Sequence, residues 1–330
     1  MEEKEKMTYR KLIELMPNAI YDTLTYNKNF KFNISLKSRK IYFIGSGSSY
    51  SVAIYGSMLF NQYTDFQTFA ITPREFIEIG VSNSTVVIIS QGGTNVDIIE
   101  ATNKAIQRNC TCVAVTADKK SKLAILVGEG NIIKLCLNGE EECFVNSQGT
   151  AASFASMLLL LDKINNTDMC KEFDFYRIFQ ESSKEVIKQQ YLSPNNRFYY
   201  VLGSGFARPA LHECVLKINE AVQEDSFCDE FKNFTHGKHI QQYLKKENRT
   251  FILFENMENK ELVKIVKQNL QEIFDEVVVF KTSIPFPYST FSHLFSAIIL
   301  TCVLCEKKGI PDPCNFLPPE CLLKLYKANP

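Results

Sequence analysis

The sequence of 330 residues has no excess of charge of either sign, because 37 lysines and arginines balance 37 aspartates and glutamates. A neutral chain has no overall field that attracts nucleic acid or an anionic membrane surface. The sequence also lacks a helix-turn-helix segment and any basic stretch. We therefore expect no direct binding to nucleic acid.

Long apolar runs are missing as well. The longest, around Leu294–Cys305, is far shorter than the roughly 20 residues that a membrane-spanning helix needs. The N-terminal segment Met1–Lys6 is charged and lacks the apolar core of a signal peptide. These two absences predict a soluble, cytoplasmic protein without a membrane segment.

The paired spacing of cysteines and histidines that zinc sites use is also absent. The 11 cysteines are scattered through the chain. Two close pairs, Cys110 with Cys112 and Cys302 with Cys305, have no second pair at the required distance. We expect reduced, mostly buried thiols, and no metal or other cofactor.

What the sequence does contain is an alternation of short apolar runs and amphipathic helical patterns after an opening helix over Tyr9–Tyr26. Strands that are apolar throughout and separated by helices are typical of a parallel sheet covered on both faces. The predicted strands are 40–45, 67–71, 85–90, 111–116 and 131–136, and the predicted helices are 49–62, 73–80, 94–107, 119–126 and 148–164.

The same plan restarts after a polar, helix-bearing connector at 166–196. A strand at Arg197–Leu202, a loop at Gly203–Gly205 and a helix at Arg208–Val222 repeat the opening of the first half. The likeness of the two openings predicts two copies of one domain, over 1–165 and 197–330. Further predicted strands are 249–254 and 275–280, with helices at 258–273 and 288–307.

Two loops of the first half are rich in glycine and hydroxyl side chains. Gly45–Tyr50 follows one predicted strand, and Ser90–Asn95 follows another. Ligands in parallel sheets bind at the carboxyl ends of the strands, and helix N-termini there bind phosphate. The loops therefore predict a phosphate pocket, although serine and asparagine at these places are also ordinary helix caps. In the second half, Glu255–Glu258 would repel a phosphate, so we expect one anion site per chain.

At these residues the chain resembles the double sugar-isomerase-domain (SIS) proteins, over about residues 15–320. That group includes the isomerase half of glucosamine-6-phosphate synthase and the fructose-amine 6-phosphate deglycases. The resemblance implies an α/β fold with two tandem SIS domains, each a mainly parallel sheet flanked by helices in a flavodoxin-like three-layer sandwich. It rests on Pro17–Ile20, Gly47–Tyr50, Ser90–Asn95, Gly139–Glu141, Leu216–Glu220 and His236–Gly237.

The resemblance assigns binding residues in the first half. Ser49, Ser90 and Gln91 correspond to residues that hold the sugar phosphate, and Ser48, Gly92 and Asn95 lie beside them. Gly92 stands where relatives have a hydroxyl residue, so one donor is lost. Glu141, Asn146 and Ser147 fall in the segment that covers the sugar, although Glu140–Glu142 is equally consistent with a solvated acidic turn.

The second half contributes the candidate catalytic residues. By resemblance, Glu220 is the general base that moves a proton between C1 and C2, and Lys217 lies three residues earlier on the same helical face. The alternative is a surface ion pair. His236 would open the sugar ring, and in relatives the matching histidine enters the adjacent subunit, which implies a homodimer with shared active sites. A structural histidine is the alternative.

One departure from the family lies near the C-terminus. The synthase has a lysine in its closing loop, but this chain has no lysine after Asp312 until Lys324. Lys324 or Lys327 could replace it only if the tail folds back differently. This departure argues against glucosamine-6-phosphate synthesis.

The favoured hypothesis is a phosphosugar isomerase or a fructose-amine 6-phosphate deglycase that acts on a hexose phosphate or an amino-sugar phosphate. A non-catalytic phosphosugar sensor is the alternative, since the missing lysine and the loss of one hydroxyl donor from the phosphate loop would both weaken turnover. A purely structural double domain with an inactive pocket is a third possibility.

Overall fold

The computed structural model describes residues 7–32, 38–140, 143–189, 192, 197–245, 247–316 and 319. These residues form two compact units. The first ends at Phe173 and also includes the C-terminal segment from Cys314, and the second spans Asp174–Pro313. Each unit is built around its own sheet.

The sheet of the first unit has five strands: β1 (Lys40–Ile44), β2 (Gln67–Ile71), β3 (Thr85–Ile89), β4 (Thr111–Thr116) and β5 (Ile132–Lys134). Their spatial order is β2-β1-β3-β4-β5, and all neighbouring strands are parallel. Every residue of β3 is buried. Burial along a whole strand requires helices on both faces of the sheet, so the predicted α/β architecture is confirmed for this unit.

The helices of the first unit alternate with these strands. They are α1 (Tyr9–Glu14), α2 (Met16–Tyr26), α3 (Ser48–Tyr63), α4 (Pro73–Ile79), α5 (Val96–Gln107), α6 (Lys122–Val127), α7 (Gln148–Asn165) and α8 (Met169–Glu172). The opening helix, predicted as one element, is divided at Leu15. Pro17 explains the division, because a proline cannot donate to the carbonyl four residues earlier.

Two helical layers cover the sheet of the first unit. On one side α4, α5 and α6 pack on side chains such as Tyr42, Val86 and Ile88. On the other side α2 and α3 pack against α7, where Tyr55 stacks on Phe154 at 5.0 Å between ring centroids. Every residue from Gln148 to Asp162 is buried, so α7 is the central helix of that layer.

The second unit contains a four-stranded parallel sheet made of β6 (Phe198–Gly203), β7 (Ser226–Glu230), β8 (Arg249–Glu255) and β9 (Glu276–Lys281), in the order β7-β6-β8-β9. In both sheets the first strand lies between the second and the third. The sequence-based prediction missed β7, because this edge strand is only partly buried and carries Asp229 and Glu230 instead of an apolar run.

The helices of the second unit are α9 (Phe175–Ile187), α10 (Arg208–Lys217), α11 (Phe231–Phe234), α12 (Lys238–Leu244), α13 (Lys260–Gln271) and α14 (Ser289–Lys308). By length and composition α14 could cross a membrane, with a mean hydropathy of 1.5, but 89% of its apolar window is buried inside the protein. Such burial is typical of the core helix of a soluble protein.

Candidate functional site

The first glycine-rich loop connects β1 to α3 through a turn that only glycine allows. A Cβ atom on Gly45 would lie 2.3 Å from the carbonyl oxygen of Ser49, and Gly47 has a positive φ of 56°. The chain therefore turns sharply from the strand into the helix. No side chain caps α3, and Ser48 and Ser49 lie half-buried in its first turn.

The second loop connects β3 to α5 and is anchored to the neighbouring strand. The carbonyl oxygen of Gln91 accepts from the Thr116 hydroxyl and from the Ala117 amide, both at 2.9 Å. The Ser90 hydroxyl accepts from the Gly93 amide at 3.3 Å. Asn95 caps α5, since its Oδ1 accepts from the Ile98 amide at 3.2 Å, which leaves its Nδ2 as the group that can donate to a ligand.

These two loops meet because β1 and β3 are parallel neighbours, with Ile44 opposite Ile88. The chain leaves β1 toward β2 on one side and leaves β3 toward β4 on the other. The carboxyl ends of β1 and β3 therefore form a topological switch point, where open parallel sheets bind ligands. The predicted residues Ser48, Ser49, Ser90, Gln91, Gly92 and Asn95 all lie in these loops, and all are at least partly exposed.

A third element, the N-terminus of α7, approaches the second loop through Gln91. A Cβ atom on Gly149 would lie 1.8 Å from Oε1 of Gln91. Any side chain at this position would require the amide end of Gln91 to move. The amide of Gln91 is therefore placed against the first turn of α7.

The same helix N-terminus holds a buried carboxylate that sequence reasoning did not select. Oε1 of Glu140 accepts from the Ser147 amide at 2.5 Å, the Ser147 hydroxyl at 2.7 Å and the Gln148 amide at 2.7 Å, and Oε2 accepts from the Gly149 amide at 2.6 Å. Burial raises the pKa of Glu140, and these hydrogen bonds oppose that rise. Glu140 thus supplies the negative charge that a helix N-terminus attracts.

The predicted sugar-binding residues have different outcomes. Ser147 is buried and donates its hydroxyl to Glu140, while Asn146 is half-buried beside it. Glu141 lies outside the described residues, as do Lys324 and Lys327. The acidic run Glu140–Glu142 gave no local signal that Glu140 would be the residue to bind the helix.

In the second unit, a buried lysine lies between two carboxylates. Nζ of Lys217 is 2.7 Å from Oε2 of Glu220 and 3.4 Å from Oε1 of Glu213. The side chains of Lys217 and Glu213 are 1% and 0% exposed, whereas that of Glu220 is 31% exposed. The predicted pair Lys217–Glu220 is therefore not a surface ion pair. Glu213 was missed, although its spacing of four residues from Lys217 is the signal that could have identified it.

The backbone at Glu220 has an unusual conformation. Immediately after α10, the segment Ile218–Val222 is π-helical, and Gln223 ends it with a positive φ of 56°. Short π-helical segments interrupt the regular helix and are frequent at functional sites. They change the direction in which a side chain such as that of Glu220 projects.

His236 lies in an exposed turn between α11 and α12, where its amide donates to the Asn233 carbonyl at 3.0 Å. Asp229 anchors this turn by accepting from Lys238 at 2.8 Å and from Asn233 at 3.1 Å. Burial alone would raise the pKa of Asp229, but these hydrogen bonds hold it below its ordinary value. Nζ of Lys238 is also 3.7 Å from the ring centroid of Phe227.

Two other histidines, His212 and His293, are more enclosed. His293 is completely buried, its Nε2 lies 3.1 Å from the carbonyl oxygen of Glu255, and its Nδ1 has no partner among the described residues. Burial lowers its pKa to about 4, so the ring is neutral and donates from Nε2. Burial also lowers the pKa of His212.

The corresponding switch point of the second unit is filled by a side chain. Nδ2 of Asn259 donates to the Phe254 carbonyl at 3.0 Å and lies 3.4 Å from the Ser204 hydroxyl. Asn256 and Asn259 also accept hydrogen bonds from each other's amides. The loops after β6 and β8 are thus bridged by protein groups.

No group of three or more His, Cys, Asp or Glu side chains in the described part of the chain is placed to hold a metal ion. A groove of about 740 Å³ in the first unit, whose lining includes Asp162 and Lys163, lies at the C-terminal end of α7. That end is opposite to the one at Gly149, so the groove is separate from the switch point.

Comparison with known proteins places these loops within a recognised domain. Residues 36–163 match the sequence model of the SIS domain, so this part of the chain is a SIS domain. The match contains β1 to β5 and both switch-point loops. No curated protein matches the sequence.

Solved structures resemble the chain over nearly its whole length. Glucosamine-6-phosphate deaminase from Thermotoga maritima is 20% identical, with 91% of this chain and 96% of that chain covered and a TM-score of 0.73. The C-terminal domain of glucosamine-fructose-6-phosphate aminotransferase from Francisella tularensis is 17% identical, with 94% and 98% covered and a TM-score of 0.73. Tagatose-6-phosphate ketose/aldose isomerase from Escherichia coli is 15% identical, with 94% and 95% covered and a TM-score of 0.74. At these identities the likeness establishes the fold alone.

Proposed function

We propose that this protein is a double-SIS phosphosugar enzyme that transfers a proton between C1 and C2 of an open-chain hexose phosphate or its amine adduct. The observation that carries the proposal is the pair of hydroxyl-bearing loops at the switch point of the SIS domain. The second unit, with its matching strand order, is the second SIS domain in this proposal, with 166–196 as the connector between domains 1–165 and 197–330.

The phosphate binds between the loops after β1 and β3. Ser49, Ser90 and Gln91 donate hydrogen bonds to it, and Ser48 and Asn95 extend the set. Gly92 adds no side chain. None of these groups carries a positive charge, so the α3 and α5 N-termini provide the neutralising dipoles. Asn146, half-buried before α7, faces the sugar, whereas Ser147 holds Glu140 at the start of that helix.

Glu220 is the general base in this proposal. Its carboxylate is partly exposed and is oriented by a buried ammonium group, which is the arrangement that a base needs in order to reach substrate in a fixed position. Lys217 orients Glu220 directly, and Glu213 orients Lys217 from the other side. His236 opens the sugar ring before the proton is moved.

The same proton transfer serves both reactions in the proposal. In an isomerase, Glu220 removes the proton from one carbon and returns it to its neighbour, which exchanges the positions of carbonyl and hydroxyl. In a deglycase, Glu220 moves the proton from C1 to C2, and the C2 carbonyl oxygen gains the proton that the amine nitrogen loses. C2 then carries a hydrogen and a hydroxyl, and C1 forms a C=N bond with the nitrogen. Water then adds to C1, the C–N bond breaks, and the amine and an aldose phosphate are released.

We also propose that the protein is a cytoplasmic homodimer with shared active sites. Helix α12 follows His236 directly and exposes apolar side chains, with Ile240 57%, Tyr243 58% and Leu244 77% exposed, while Gln242 is buried. A helix with its apolar residues outward needs a partner surface. A second copy of this chain would cover the face and bring His236 to the adjacent site.

The test follows deuterium uptake at C2 by NMR, with purified protein in heavy water and a panel of hexose phosphates and fructosamine phosphates. We expect uptake with the wild type and at least a hundredfold slower uptake with Glu220→Gln, since general bases contribute about 10²–10⁴-fold. Glu181→Gln, which alters an exposed carboxylate on α9, is the matched control. Equal rates for wild type and Glu220→Gln across the panel would contradict the catalytic proposal.

A phosphosugar sensor is the second candidate, because the sequence has no lysine or arginine from Gly309 to Leu323 to contact an open-chain sugar. Thermal-shift measurements distinguish it from the enzyme. A ligand at a hundred times its Kd stabilises the folded state by about 2.7 kcal/mol. Stabilisation by a hexose phosphate without any deuterium uptake would support the sensor.

A further inference from the structure

Two partly exposed aromatic rings lie together in the first unit. The ring centroids of Phe144 and Phe316 are 6.3 Å apart, with the rings at 71° to each other. Phe144 is 46% exposed and Phe316 is 36% exposed. Edge-to-face packing is a favourable arrangement for such a pair, but the remaining ring surface is apolar and is in contact with water.

The local chain directs Phe144 outward. Cys143 and Val145 on either side of it are buried, so the intervening side chain faces the other way. Phe316 belongs to the C-terminal segment that is part of the first unit. The pair therefore joins the segment before α7 to a segment from the far end of the sequence.

The pair lies close to the candidate site. Phe144 is three residues from Ser147, so their Cα atoms are separated by at most roughly 11 Å. Ser147 and Gly149 bind Glu140 at the start of α7, and Gly149 contacts Gln91 of the phosphate loops. The two rings thus lie on the segment that leads into the start of α7, the helix turn against which the Gln91 amide is placed.

A hexose phosphate alone has no apolar part that would use this surface. An amine adduct has one if its substituent is a hydrocarbon, and burial of that substituent against the rings would add affinity. An anionic substituent would gain nothing from the two rings, and the sequence from Gly309 to Leu323 has no lysine or arginine to pair with a carboxylate. A cationic substituent would gain only the weak cation–π attraction that exposed rings provide.

We propose that Phe144 and Phe316 form an apolar subsite for the amine substituent of a ketosamine 6-phosphate, so that the preferred substrate is the adduct of an uncharged, apolar amine. This inference rests on the proposed function and names its substrate class. The aromatic pair sets specificity, and the phosphate loops and Glu220 keep their roles.

The experiment measures Kd by isothermal titration calorimetry for three compounds: fructose 6-phosphate, N-benzylfructosamine 6-phosphate and N-carboxymethylfructosamine 6-phosphate. We expect the benzyl adduct to bind about tenfold more tightly than fructose 6-phosphate, from an apolar area of roughly 50 Å² removed from water. The carboxymethyl adduct should show no such gain.

Variants test whether the two rings cause the difference. Phe144→Ala and Phe316→Ala should each reduce the benzyl preference severalfold, and Phe144→Leu should retain part of it. Phe69→Ala is the matched control, because Phe69 is 39% exposed and stacks on Tyr42 but lies on β2; it should keep the preference.

The outcomes separate the two proposals. If all three compounds bind but the benzyl group adds no affinity, or if the alanine variants weaken all three equally, the apolar subsite is wrong and the phosphosugar function stands. If none of the three compounds binds, both are wrong.

Discussion

The side-chain oxygen of Gln91 lies 1.8 Å from the position that a Cβ atom on Gly149 would occupy. A loop that follows a strand and the first turn of a helix almost sixty residues later are thereby fitted to each other.

Gly149→Ala should weaken phosphosugar binding while changing stability by less than about 1 kcal/mol, because the methyl group meets only the flexible, partly exposed end of the Gln91 side chain. The methyl group would displace Gln91 from the helix start. Alanine is the better helix former by about 1 kcal/mol, which offsets the cost of moving Gln91, so weaker binding without a loss of stability identifies the displaced Gln91 amide as its cause. Urea unfolding and ligand titration measure the two effects. Gly130→Ala, which has no atom within 4 Å of its Cβ position, should change neither.

Glu140→Gln should destabilise the protein by about 2 kcal/mol, the range for hydrogen bonds to charged groups. The side-chain amide of the glutamine would place its NH2 group against the N–H donors at the start of α7. The substitution would also remove the negative charge that offsets the helix dipole. Thermal unfolding checks this prediction. Glu129→Gln, at an exposed glutamate, is the control, and equal melting temperatures for both variants would contradict the capping role.

Lys217→Met should cost about 3 kcal/mol, because removal of one partner leaves buried carboxylate charge without its cation. Adding Glu213→Gln should restore part of the loss, so the double variant should be more stable than the sum of the single effects. Denaturant unfolding of the four proteins gives the coupling energy. Arg74→Met, which breaks an exposed pair with Glu78, should leave stability nearly unchanged.

His293 should make stability depend on pH between about 6.5 and 4. The folded chain holds it neutral with a pKa of about 4, whereas the unfolded chain binds a proton below about 6.5. Protonation therefore favours unfolding as the pH falls through this window, by about 3 kcal/mol in total.

His293→Gln should remove that component of the pH dependence, while its amide still donates to the Glu255 carbonyl. Urea unfolding at pH 7, 5.5 and 4 gives the slope for each protein. His239→Gln, at an exposed histidine, should leave the slope unchanged. A wild-type slope that persists in His293→Gln would rule out His293 as its source.

Leu244→Glu should convert the proposed dimer into a monomer, since a carboxylate would be buried in the interface at high cost. Size-exclusion chromatography with light scattering measures the mass directly. Ile265→Glu is the control, because Ile265 is similarly exposed but lies on α13. A wild-type mass of one chain would contradict the dimer itself.

The local patterns that predicted the first unit were strong because they repeat along the chain. The run Thr85–Ile89 is buried throughout, as its composition indicated, and glycines mark the turn that follows β1. Short elements were not predictable in this way. Strand β7 is only partly buried, and helix α12 turns its apolar side chains outward. The periodicity of apolar residues therefore gave no signal for either element.

By itself, the sequence determined the parallel α/β plan, the placement of hydroxyl loops after β1 and β3, and the pairing of Lys217 with Glu220, because each depends on neighbours a few residues apart. Only the tertiary structure decided that Glu140 binds the start of α7, that the Gln91 side chain packs against Gly149 and that the rings of Phe144 and Phe316 pack together. These contacts join segments whose distance along the chain carries no information about their distance in space. Packing of the whole unit selects them.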